Sequence, residues 1–248
     1  MEKKIRLTTR VLYPDGKVKP KETEVIQEHV LTVLVNEKQV YRLVCTKDRL
    51  RELVTGRLKT DGLIESAEDI YKMFFCKYEN EVSVFLNNEV IWEETIQKDP
   101  TCCMGNRVFL AGKRSDLKKL PHYDWMPEWI FALAEEFGKG TELHDRTSGV
   151  HVCILAREGK PLFVSEDIGR HNAIDKTVGY ALLNRIQLSE CMIFTSGRVP
   201  VDMVEKVVAA GVPVLVSKSV PTNESVIMAR EYGLDLICRA WPDKCEIF

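Results

Sequence analysis

The chain has 248 residues, 45% of them apolar and 29% charged, with 35 Lys+Arg against 37 Asp+Glu and a formal net charge of −2. That balance gives a globular protein with room for a large core, and it excludes wholesale disorder, a collagen-like repeat and a long coiled coil. It also supplies no general positive charge to attract a nucleic acid or a membrane surface, so neither is expected as a partner and any anion site must be built locally. The longest apolar run, 129–134, is six residues, against the roughly 20 needed to span a bilayer. The charged start Met1-Glu2-Lys3-Lys4 leads into no apolar segment, so no signal peptide is expected and the cytoplasm is the expected location.

The first hundred residues read as strands around one helix. Segments 29–36 and 39–46 are β-branched runs joined by a polar turn, a hairpin pattern. The spacing of apolar residues at 50, 53, 54 and 58 predicts a helix over 48–58. Segments 71–78, 81–86 and 90–96 are predicted strands, and 98–124, rich in Gly, Lys, Asp and Pro, reads as a mobile loop region. A helix is predicted over 127–137, with Pro127 in its first turn and Gly138 after its end.

From residue 150 the pattern becomes a regular alternation. Strands are predicted at 150–156, 162–165, 191–195, 212–217 and 234–238, and helices at 171–185, 201–210 and 222–232. Gly211 and Gly233 stand where left-handed helix C-caps belong. The expectation is an α/β protein with an α+β N-terminal part: a strand-rich domain over 1–125, holding the cysteine loop 98–124, and a layered α/β domain with a largely parallel sheet over 126–248.

Eight cysteines need a cytosolic explanation, because disulfides are rare in that compartment. Cys45, Cys76, Cys153, Cys191 and Cys238 lie in apolar, strand-like contexts and read as small buried hydrophobes. No Cys-x-x-Cys pair occurs, so a closed zinc site has no support and no metal bound by the protein itself is expected. Cys102 and Cys103 differ: they are adjacent in a Pro/Gly-punctuated stretch, where a thiolate can be reached by a partner.

Two strand-to-helix junctions carry the remaining chemistry. Glu166-Asp167-Ile168-Gly169-Arg170-His171-Asn172 leads into the first C-terminal helix, and Thr195-Ser196-Gly197-Arg198 into the next. In each, a glycine lets the backbone approach closely, an arginine offers a fork of donors, and a helix N-terminus presents free N–H groups. The pair reads as a phosphate cradle beyond the carboxyl ends of strands. His171 and Asp167 can also be read as an acid–base pair, and His151 as packing or lining the same cleft. Walker, dinucleotide-binding, nucleophile-elbow and zinc-deaminase patterns are absent.

These segments together resemble the FdhD family, the accessory sulfurtransferases of formate dehydrogenase. The resemblance is carried by the unbroken run from Glu166 through Ala173-Ile174-Asp175-Lys176, by Thr195-Ser196-Gly197-Arg198 with Met203 and Lys206, and by Gly211-Val212-Pro213-Val214-Leu215-Val216-Ser217 with Pro221-Thr222. In the N-terminal half Cys45-Thr46, Leu50, Glu52-Leu53, Gly56, Leu58, Gly62 and Ile64 keep the family's spacing. Three places depart from it. Cys102-Cys103-Met104-Gly105 stands where the family often has Cys-x-x-Cys, with Cys103 the better match to the retained cysteine; Thr147-Ser148-Gly149-Val150-His151 replaces Thr-Gly-Gly-x-His; and Arg239-Ala240-Trp241-Pro242-Asp243-Lys244 is an altered form of a cofactor-associated stretch.

The resemblance implies a homodimer with a cytidine-deaminase-like layered α/β core. It implies a sulfur carrier that accepts persulfide sulfur from a cysteine desulfurase on Cys103, with Cys102 as the alternative. The sulfur would pass to a bis-molybdopterin guanine dinucleotide cofactor, held as cargo by Asp167, Gly169, Arg170, His171, Asn172, Ser196, Gly197, Arg198 and the 239–244 stretch, for the benefit of formate dehydrogenase. Two other readings stay open: a molybdopterin-nucleotide-binding chaperone without sulfur relay, and a nucleotide hydrolase using His171 and Asp167.

Overall fold

The computed structural model describes residues 3–88, 90, 92–93, 110–111 and 117–248; Cys102 and Cys103 lie outside the described residues. The chain opens with a ribbon absent from the sequence prediction, β1 (Lys4–Leu12) paired antiparallel with β2 (Val18–Ile26). Its side chains are mostly exposed, so it lacks the in/out hydrophobic contrast by which a strand is read.

A four-stranded sheet follows, in the order β4-β3-β6-β5, from β3 (His29–Val35), β4 (Lys38–Cys45), β5 (Ile70–Phe75) and β6 (Glu81–Leu86). Asn36 and Glu37, with φ of 46° and 67°, form the two-residue turn between β3 and β4, the positive-φ pair that matches strand twist. Leu31, Val33 and Val35 alternate inward with Val40, Leu43, Val82 and Val84, and helix α1 (Leu50–Thr60) covers that face with Leu50, Leu53, Val54 and Leu58. Of the predicted strand at 90–96, residues 90, 92 and 93 fall within the described residues, the last two as β7 (Trp92–Glu93), paired with β8 (Leu110–Ala111).

The second half is a six-stranded sheet in the order β10-β9-β11-β12-β13-β14, formed by β9 (His151–Arg157), β10 (Lys160–Asp167), β11 (Met192–Thr195), β12 (Val214–Ser217), β13 (Asp235–Trp241) and β14 (Lys244–Ile247). Only the β11–β12 and β12–β13 pairings are parallel; the other pairings are antiparallel. The sheet is therefore mixed, not largely parallel. Two tight hairpins replace crossovers: Glu158 and Gly159, at φ 51° and 72°, close β9 onto β10, and Pro242-Asp243 closes β13 onto β14.

Both faces of this sheet are apolar. Cys153, Leu155, Ile193, Leu215 and Leu236 meet α4 (Arg170–Leu183), α5 (Val201–Ala210) and α6 (Asn223–Tyr232). Ile154, Met192, Phe194, Val214, Val216 and Ile237 meet Ile130, Leu133 and Ala134 of α2 (Pro127–Gly138). That is why these strands read as continuous apolar runs. The short α3 (Glu142–Thr147) precedes β9. Leu117, Leu120, Tyr123 and Trp125, placed by sequence in the first domain, pack against these two cores. Gly211 (φ 82°) and Gly233 (φ 73°) are the left-handed caps of α5 and α6.

Helix α4 joins the two halves, with the large sheet on one side and α1 on the other. At the α1–α4 crossing the backbones touch: a Cβ at Gly56 would lie 1.7 Å from the Asp175 carbonyl oxygen, and one at Gly179 1.8 Å from that of Glu52. Nearly the whole of α4 is buried, including Asp175 and Lys176, a pattern that an amphipathic reading with one apolar face does not foresee.

Candidate functional site

Strands β10, β11, β12 and β13 end on the same side of the sheet, and β9 begins there. The register sets Asp167 opposite His151 and Thr195 opposite both Cys153 and Ser217. The segments after these strands thus share one edge, the usual ligand position in an open α/β sheet.

The loop after β11 is locked to its neighbours. Ser196 N–H donates to the Val152 carbonyl (3.0 Å), and Ser196 Oγ accepts from Val152 N–H (3.0 Å) and lies 3.2 Å from His151 Nδ1. Gly197 N–H donates to Thr195 Oγ1 (3.2 Å), and its carbonyl accepts from Ser217 Oγ (2.7 Å). Gly197 lies directly against the other arginine loop: a Cβ there would stand 2.9 Å from Arg170 Cβ. The two predicted loops therefore meet, but their arginines differ. Arg170 is buried against Gly197, whereas Arg198 is exposed.

Further along the same edge, Lys218 Nζ stands 4.7 Å from the ring centre of the half-exposed Trp241 and 5.3 Å from that of Phe137. The exposed Arg239, at φ 49°, pairs with Glu246 at 2.8 Å. Pro242, Asp243 and Lys244 are exposed at the β13–β14 turn, while Ala240 is buried in the core beside α2. Ala240 is thus a packing residue, out of a ligand's reach.

Asp167 and Asn172 also fall outside the ligand-facing set. Asp167 is fully buried, and its oxygens accept from Thr46 N–H (3.1 Å), Gly169 N–H (2.9 Å), Asn172 Nδ2 (2.8 Å) and Lys176 Nζ (2.8 Å). Four donors occupy the lone pairs of an ionised carboxylate, so Asp167 shapes the loop and has no oxygen left for a ligand. Asn172 Nδ2 also donates to the Val44 carbonyl (2.8 Å), pinning the loop to β4. The acid–base pairing of His171 with Asp167 is not what the structure shows. His171 Nε2 lies 2.8 Å from Asp202 Oδ2 on α5. Burial holds the His171 pKa below its ordinary value, the Asp202 hydrogen bond opposing it only in part. Burial works against ionising Asp202, yet His171, Arg170 and the Met203 N–H together outweigh it and keep that carboxyl below the usual range.

Two buried ionic clusters hold this edge to the N-terminal half. In one, Lys176 Nζ reaches Asp167 (2.8 Å), Asp48 (2.7 Å) and Thr46 Oγ1 (2.7 Å), and Lys3 closes onto Asp48 (2.6 Å). Burial opposes the charge on Lys176, but Asp167 and Asp48 outweigh it and raise its pKa. In the other, Lys206 Nζ binds Asp175 (2.8 Å) and Thr60 Oγ1 (2.8 Å), while Arg57 pairs with Asp61 (2.9 Å). Here burial and the neighbouring Arg57 guanidinium together push Lys206 down to about 8, against the pull of Asp175 and Asp61. Thr46, Asp175, Lys176 and Lys206 belonged to the resembling segments, but nothing in their spacing indicated a buried knot. Asp48, Asp202 and Lys218 carried no signal.

A cleft of about 480 Å³ lies elsewhere, between the ribbon, α3 and Glu166, lined by Lys4, Ile5, Arg6, Glu24 and Leu143 among others. Its charges are already engaged: Lys4 pairs with Glu24 (2.8 Å), and Glu166 accepts from Thr141 Oγ1 and from His144 N–H (3.0 Å). Among the described residues no three His, Cys, Asp or Glu side chains group to hold a metal ion, and no helix is long and apolar enough to cross a membrane.

Comparison with known proteins gives the family. The model of the FdhD/NarQ family matches residues 26–248. The sulfur carrier protein FdhD of Bacillus subtilis (strain 168) is 32% identical over 234 residues, covering 91% of this chain and 88% of its own length. That of Bacillus licheniformis is 31% identical over 244 residues, covering 94% and 91%. The crystal structure of a protein named as a formate dehydrogenase accessory protein, from Desulfotalea psychrophila, superposes with a TM-score of 0.83 over 99% of this chain and 96% of that one; at 24% identity this likeness speaks to the fold. The chain belongs to the FdhD/NarQ family.

Proposed function

We propose that this protein is a sulfur carrier that takes persulfide sulfur from a cysteine desulfurase and passes it to a bis-molybdopterin guanine dinucleotide cofactor needed by a formate dehydrogenase. The observation that carries the reading is the sheet edge, where the loops bearing Arg170 and Arg198 touch at Gly197 and where Lys218 stands over Trp241. The exposed Arg198 and the partly exposed Lys218, with Arg170 behind them at the start of α4, suit phosphate groups, and a half-exposed indole suits a stacked base. Family membership supports the carrier role, because the relatives from the two Bacillus species are named sulfur carrier proteins. The carrying thiol is Cys103, with Cys102 as the alternative; transfer moves the outer sulfur of the desulfurase persulfide onto that cysteine's thiolate and releases the desulfurase cysteine as a thiolate. The same reading takes the six-stranded half as a cytidine-deaminase-like core and the working form as a cytoplasmic homodimer.

The test is to incubate the purified protein with a cysteine desulfurase and cysteine, and to locate added sulfur by peptide mass spectrometry. Sulfur on the Cys102–Cys103 peptide, lost in the double alanine variant together with activation of formate dehydrogenase, is the expected result. Tight guanine nucleotide binding with no sulfur gained would instead identify a cofactor chaperone without relay. Turnover of the nucleotide would favour a hydrolase.

A further inference from the structure

Helices α4 and α5 start side by side at the sheet edge, and one side-chain contact fastens them there. His171 and Asp202 are each the second residue of their helix, and they meet at 2.8 Å through Nε2 and Oδ2. His171 is buried, while 26% of the Asp202 side chain is exposed. The turn entering α4 carries Gly169 and Arg170, and the turn entering α5 follows Gly197 and Arg198. A contact between the helix starts therefore sets the spacing of the two arginine loops.

We propose that Asp202 is a positioning residue of the anion site, holding His171 through its Nε2–H and coupling ligand binding to uptake of one proton by that imidazole. This rests on the nucleotide-binding reading above. The charged and titratable groups facing His171 are Arg170 on its own helix, Asp202 and Lys206 on α5, and His151 on β9. Burial, Lys206 and Arg170 disfavour the imidazolium, and Asp202 favours it; the start of α4 is a further unfavourable place for a cation. At neutral pH the pair is a neutral imidazole beside a carboxylate, a net negative charge that opposes an incoming polyphosphate. A proton taken up by the imidazole cancels that charge. By linkage, a bound anion strengthens His171 as a base, and binding tightens as pH falls.

Calorimetric titration of the full chain with guanosine diphosphate, across about pH 5.5–8 around the ordinary histidine value and in two buffers of different ionisation enthalpy, tests this. Asp202→Asn keeps an acceptor for the Nε2–H and removes the charge; Asp202→Ala removes both. The wild type should take up more protons on binding than Asp202→Asn and show a steeper pH profile, by about fivefold across the range. The nucleotide's own titration is common to both proteins and cancels in the comparison. Asp202→Ala should bind more weakly than Asp202→Asn at the alkaline end, where only the tether differs. Equal proton uptake and parallel profiles for wild type and Asp202→Asn, with matching thermal melts, overturn the coupling and leave the nucleotide reading standing. No binding to the wild type overturns both.

Discussion

Replacing Gly179 by alanine sets two effects against each other. In a helix interior alanine is favoured over glycine by about 0.8–1 kcal/mol. At this crossing, however, the new methyl would lie 1.8 Å from the Glu52 carbonyl oxygen and 2.8 Å from Gly56 N, whereas non-bonded atoms settle at roughly 3.5 Å. Helices α1 and α4 would have to part by about 1.5 Å. The Asp175–Thr60, Lys206–Thr60 and Asp48–Lys176 contacts at 2.7–2.8 Å tie α1 and the residues before it to α4 and α5 and cannot all absorb such a shift. Overpacking costs about 1–3 kcal/mol, and weakening a buried ion pair adds to it. The steric side wins, with a net loss of about 3 kcal/mol, or a fall of about 6–12 °C in Tm for a chain of this size. Gly138→Ala is the control: it ends α2, has nothing within 4 Å of the added carbon, and should be neutral or slightly stabilising. Urea unfolding followed by circular dichroism measures both. A Gly179→Ala protein as stable as the wild type would refute the backbone-on-backbone packing of α1 on α4.

Lys176→Met keeps the buried stem and strands two carboxylates, so it should cost about 3–5 kcal/mol; a midpoint in urea within experimental scatter of the wild type would contradict the knot. Arg198→Ala should weaken guanosine diphosphate binding by about one to two decades without lowering Tm, and Arg170→Ala should lower both, because its stem packs on Gly197; unchanged affinity in both variants sinks the phosphate cradle. Acid should weaken the fold steadily. His171 titrates below its ordinary value, so the unfolded chain takes up the proton first as pH falls through about 6.5. Asp48 and Asp202 lie below the carboxylate range, so the stability they lend above about pH 4 is lost as pH falls through their folded values. Urea midpoints that rise between pH 7 and 4 would contradict this.

Residues 166–172 and 195–198 could be read as strand-to-helix loops because their signals are local: glycine, arginine and the change from a run of β-branched residues to helical spacing. The helix caps at Gly211 and Gly233 were legible for the same reason. What the buried charges of α4 do was not legible, because Asp175 and Lys176 find their partners at Thr60, Arg57, Thr46 and Asp48, 115–130 residues away. A charge in a helix reads as solvated until the chain that covers it is known. The hairpin of β9 and β10 is legible in principle: Glu158-Gly159 between two strands is a two-residue turn, which makes that pairing antiparallel. The ribbon of β1 and β2 gave no such sign, because neither of its faces is strongly buried.

The sharing of α4 between two cores has a consequence for the order in which the molecule assembles. The bonds that fasten α1 join residues separated by as many as 146 positions, as in Lys206 to Thr60, so they close only after most of the chain has left the ribosome. Until then the charged side of α1 stays in water, and the nascent N-terminal half has a solubilising surface where the finished protein has an interior. Once closed, Arg57 and Thr60 are buried. Amide hydrogens of α1 should therefore exchange as slowly as those of β11 and β12, by whole-molecule opening rather than local fraying.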